Sequence, residues 1–90
     1  MYNQITPVGL PGRIDAKEAA KILGFQKHDI PVLIREKHLK PLGNPAPNSP
    51  KWFSSVEILE LAVNKDWLNQ ATKTLSKTWK MKNARKTVLG

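Results

Sequence analysis

Gly24 and Pro31 constrain this chain more than any other residues. Ala16, Ala19, Ala20, Ile22 and Leu23 recur at helical spacing, and the glycine that follows favours the left-handed conformation that closes a helix. Asp15 with Glu18 has the spacing of a capping box, so a first helix is predicted over roughly residues 16–23. Pro31 is tolerated only in a first helical turn and disfavours α conformation at Ile30, which puts the start of a second helix at Asp29 to Pro31. Two short helices must therefore meet across a turn, with Phe25 directed inward between them.

On the second helix, Ile30, Leu33 and Ile34 take core positions, and Val32, Arg35 and Glu36 take the opposite face, with Lys27 and His28 at its leading end. Such a pair is a helix-turn-helix unit. Leu39 to Leu42 and Lys51 to Phe53 read as short extended pieces around a loop from Gly43 to Pro50 that is too rich in proline and asparagine for regular structure. This predicts a β-hairpin wing. Ser54 with Glu57 caps a third helix, whose apolar face comprises Val56, Ile58, Leu59, Leu61, Ala62 and Val63. Asp66 is expected to cap a fourth, on which Trp67, Ala71, Leu75 and Trp79 form one apolar stripe, suited to packing on the chain's own core or to a homodimer seam. The expected fold is mostly α with a small β-hairpin wing, a winged helix-turn-helix, plus a C-terminal basic amphipathic helix. Its divisions are an arm at 1–12, the helical unit at 13–65 and the basic helix and tail at 66–90.

Charge locates the interaction surface. The formal net charge is +8, and it is uneven. Residues 67–90 contain Lys73, Lys77, Lys80, Lys82, Arg85 and Lys86 and no acid. A polycation of this kind favours DNA, RNA or an anionic membrane surface. No apolar run approaches the ~20 residues that span a bilayer, and the chain has no cysteine for a disulfide or thiolate metal site. These features suggest a soluble, cytoplasmic protein, associated with the nucleoid if its partner is DNA.

Catalysis finds little footing. His28 and His38 have no ligand partner at metal spacing and read as surface or phosphate-contacting residues. Glu57 is accounted for by capping, and no glycine-rich phosphate loop or nucleophile–base pair is present. No enzyme activity, metal, cofactor or small-molecule effector is expected.

The stretch Ala16-Lys17-Glu18-Ala19-Ala20-Lys21-Ile22-Leu23-Gly24-Phe25 resembles the opening of the MerR-like and excisionase-like winged-helix families. Leu33-Ile34-Arg35-Glu36-Lys37-His38-Leu39-Lys40-Pro41 and Trp52-Phe53-Ser54-Ser55-Val56-Glu57-Ile58 are similar to their later segments. The resemblance implies a double-stranded DNA partner, with the second helix in the major groove and the wing on the backbone or minor groove. By position it implies polar readers at Gln26 and Lys27, beside His28, with Arg35 near the far end of the helix and Lys51 at the base of the wing. Lysine and arginine can donate to guanine, and glutamine can pair with adenine. Val32 suits a thymine methyl group, Asn44, Asn48 and Ser49 are the polar residues of the wing, and Lys73, Lys77 and Lys80 suit phosphates. The sequence departs from the pattern at Pro31 and Val32, and at Lys37, which replaces the glycine that usually ends this helix. The functions implied are a transcriptional regulator or an excisionase-type architectural factor. A protein adaptor or an RNA-binding protein is the alternative.

Overall fold

In a computed structural model, the backbone is described for residues 9–89 and the side chains for residues 9–82. The side chains of Arg85 and Lys86, and residues 1–8 of the expected arm, lie outside that range. The chain is mostly helical with one small antiparallel sheet. Strand β1 (Arg13–Asp15) leads into helix α1 (Ala16–Leu23), and a 3-10 turn (Lys27–Asp29) leads into α2 (Ile30–Arg35). After the loop come β2 (Trp52–Ser54), α3 (Ser55–Ala62) and α4 (Lys65–Leu89). No helix of the described residues is long and apolar enough to cross a membrane.

The helix ends follow local chemistry. The Asp15 carboxylate accepts the Glu18 amide at 2.9 Å, and the Ser54 hydroxyl accepts the Glu57 amide at 3.2 Å, so both predicted caps form. The cap of α4 is displaced. Asn64, not Asp66, accepts the Trp67 amide, at 3.0 Å, and Asp66 instead stands in the first turn, where a negative charge complements the helix dipole.

The sheet differs from the predicted hairpin. β2 pairs with β1, matching Ile14 with Phe53, and not with residues 39–42. Among the described residues, a hydrogen bond from the Leu42 amide to the Trp52 carbonyl, 2.8 Å, ties that segment to β2. Residues 43–50 therefore form a loop closed at its base rather than the tip of a ribbon. The Ile14–Phe53 pair directs both side chains into the core, where Ala19, Ala20, Leu23, Ile30, Leu33 and Ile58 complete the packing of α1, α2 and α3. Ser55 fastens the end of the N-terminal arm, since its hydroxyl donates to the Pro11 carbonyl and its amide to the Gly12 carbonyl at 3.0 Å. On α3, Ile58 is buried but Val56 is exposed, and Val63 lies exposed just past the helix end, so the apolar face is narrower than its composition suggests.

The apolar stripe of α4 packs on the chain's own core. Ala71 and Leu75 are buried, and Trp67 and Trp79 lie against the same cluster. In this arrangement Ala71 and Leu75 are used within the chain, and Trp67 and Trp79 stay partly exposed.

Both helices of the first pair end alike. The Phe25 amide reaches back to the Ala20 carbonyl over a left-handed Gly24, and the His38 amide reaches back to the Leu33 carbonyl over Lys37 (each 2.8 Å). Lys37 therefore holds the left-handed position itself, with φ of 65°, where a side chain costs roughly 1–2 kcal/mol. Lys37→Gly removes this strain and offsets part of the gain by loosening the unfolded chain. A net stabilisation of about 0.5–1 kcal/mol is expected, visible as a rise of roughly 3–5 °C in the thermal midpoint. A fall in the midpoint would mean that the Lys37 side chain contributes more than its backbone costs.

Candidate nucleic-acid interface

The turn between α1 and α2 is anchored by a largely buried acid. Asp29 is 7% exposed, and its carboxylate accepts the Gln26 amide at 2.9 Å and the Trp79 indole N–H at 3.0 Å. The first bond shapes the turn. The second fixes α4 to it across fifty positions of sequence. A second tie joins α4 to the end of α2: the Trp67 indole donates to the His38 carbonyl at 3.0 Å, and His38 Nε2 lies 2.8 Å from the Thr74 hydroxyl. His38 is therefore half-buried and structural, not a surface phosphate contact.

These ties set which predicted residues can reach a partner. Gln26, Lys27 and His28 are exposed at the leading end of α2. Val32 is not, at 5% exposure. It shares a helix face with Arg35 and Glu36 by spacing, and those two residues border a groove against Thr74, Lys77, Thr78 and Lys82 of α4. Val32 belongs to the buried core cluster and so does not reach a base. Arg35, at the edge of this contact, remains exposed and pairs with Glu36 at 3.3 Å.

Lys51 also has a different task. Its ammonium donates to the carbonyls of Ala46, Pro47 and Ser49 at 3.2, 3.0 and 2.7 Å. All three N–H donors of an ammonium are thereby used, so Lys51 holds the loop in shape and is not a free phosphate contact. Asn44 and Asn48 remain exposed on that loop, and Ser49 is half-buried. Asn44 borders a depression with Ile34 and Lys37 at the far end of α2, away from Gln26 to His28.

Lys73, Lys77 and Lys80 are all exposed. Lys73 stands two residues from both Ala71 and Leu75 and so lies on the side of α4 away from the core. Lys77 is turned toward the α2 groove. Lys82 of the basic tail and Thr78, which carries no sequence signal, border the same groove. Lys82 Nζ sits 4.4 Å from the centre of the Trp79 ring, and the His28 ring meets that tryptophan edge-on at 5.2 Å. A cationic surface accordingly runs from Lys27 and His28 past Trp79 and Lys82 to Arg35 and Lys77. Among the described residues, only His28 and Arg35 have an acid within ion-pair distance, so the lysine charges on this surface are uncompensated.

No family model, curated protein or solved structure matches this chain. Nothing local to α2 marks Val32 for burial. Lys82 carried one signal, its position three residues after Trp79 on a helix without acids after Asp66.

Proposed function

We propose that the chain is a small duplex-DNA-binding protein built on the winged helix-turn-helix plan, acting as a transcriptional regulator or an excisionase-type architectural factor. The observation that carries this reading is the basic surface, with its lysines unpaired, that joins the leading end of α2 to α4. Gln26, Lys27 and His28 are the residues available to base edges. Arg35 and the α4 lysines supply phosphate contacts, and Asn44 and Asn48 place polar groups where the loop would meet the backbone. With Val32 withdrawn into the core, few groups remain for direct readout, so affinity rests mainly on charge and base preference is modest.

Selection from random duplexes at ~150 mM salt with excess competitor tests the proposal. A short enriched motif is expected, bound with a log K against log salt slope of about −4 to −5, as for roughly five phosphate contacts. Lys27→Glu should weaken this binding by about tenfold while leaving circular dichroism unchanged. Absence of duplex binding would refute the reading, and preference for single-stranded RNA would transfer the surface to a different partner.

A further inference from the structure

The groove between α2 and α4 is more specialised than a patch of surface lysines. Arg35, Lys77 and Lys82 contribute three positive groups against the single carboxylate of Glu36. Arg35 gives only its Nε to Glu36, which leaves the terminal N–H donors of its guanidinium free. The ring of Trp79 steadies Lys82, limiting the side-chain entropy that ordering a lysine costs. Thr78 adds a hydroxyl that has no hydrogen-bond partner among the described residues, and it lies one turn along α4 from Thr74. A planar carboxylate needs only the guanidinium fork. The combination of a fork, two ammonium groups and a hydroxyl, converging from two helices, suits the several acceptor oxygens of a tetrahedral anion.

We infer that this groove seats one backbone phosphate of the bound nucleic acid, held between Arg35 on α2 and Lys77, Thr78 and Lys82 on α4. The inference rests on the duplex-binding reading and adds to it a specific seat and a role for α4. A phosphate bound here bridges the two helices and sets the angle at which the leading end of α2 meets the duplex. Lys82 reaches it from the same tryptophan that His28 touches, so the seat and the base-reading end are mechanically joined through Trp79.

The test uses the whole chain and two kinds of substitution. Lys77→Met with Lys82→Met should reduce the steepness of the salt dependence by about one unit, as for the loss of one phosphate contact, and lower duplex affinity by about tenfold to thirtyfold. Thr78→Val removes a hydrogen-bond donor but no charge, and should weaken binding severalfold with the slope unchanged. Thermal melting of each variant separates these effects from loss of fold. If wild-type protein binds duplex and the double variant keeps the wild-type slope, the phosphate seat is refuted while the duplex reading stands. A second arm titrates the wild-type chain with inorganic phosphate and follows the Thr78 amide by NMR. Shifts there without any duplex binding would assign the groove to a small phosphate compound and overturn the nucleic-acid source together with the duplex reading.

Discussion

Phe53→Ala is expected to remove most of the stability of this protein. The side chain is 0% exposed, pairs with Ile14 across the sheet, and is the largest of the fully buried residues. Truncating such a phenylalanine costs about 3–5 kcal/mol, because the lost transfer energy is joined by the cavity left behind. A ninety-residue domain has roughly 5–13 kcal/mol in total, so the variant should melt roughly 15–30 °C lower. Circular dichroism during thermal and urea unfolding measures the change. Val63→Ala supplies the control: Val63 is 84% exposed and its loss should stay within about 0.5 kcal/mol. A Phe53→Ala cost near that of Val63→Ala would show that the β1–β2 sheet does not close the core.

The contrast between these two residues shows what sequence could and could not reveal. Helix boundaries were legible because their causes are local. Asp15, Gly24, Pro31 and Ser54 act within one turn of themselves, and each terminates or starts a helix as its chemistry requires. Lys37 departs from the expected glycine, yet the backbone keeps the left-handed turn and accepts the lysine in it, because the hydrogen bonds of the helix end outweigh the strain of one residue. Partners distant in sequence were not legible. An extended piece at 52–54 signals a strand but not which edge it joins: β1 pairs with it and sets Ile14 opposite Phe53, while the 39–42 segment buries Leu39 in the core without joining the sheet. Val32 and Val63 look alike in composition. One is buried and the other exposed, and no pattern within either segment encodes the difference. Lys51 shows the same limit: its charge suggests a phosphate, while the structure shows three loop carbonyls within its own reach.

Asp29→Ala is the second large effect, and it connects stability with the proposed site. The substitution leaves the Trp79 indole and the Gln26 amide without the carboxylate that both now reach. Hydrogen bonds to a charged group contribute about 1.5–3 kcal/mol, and a buried donor left unpaired costs about 1–3 kcal/mol, so a loss of roughly 2–3 kcal/mol is expected. Asp29→Asn retains one acceptor oxygen and brings an N–H group toward the second donor, so it should recover only part of that loss. Urea unfolding gives the magnitude, and hydrogen exchange at the Trp79 indole gives the location. The distal half of α4 depends on Trp79 for its seat beside the turn, so indole exchange should accelerate more than that of Trp67, which is held separately by the His38 carbonyl. Duplex affinity should fall with it, because Lys77 and Lys82 would no longer be held alongside Lys27 and His28, even though no charged group that contacts the ligand has been changed. Unaltered exchange at Trp79 would mean that α4 is held by Ala71 and Leu75 alone, and the cationic surface would then owe its shape to apolar packing and not to the buried acid.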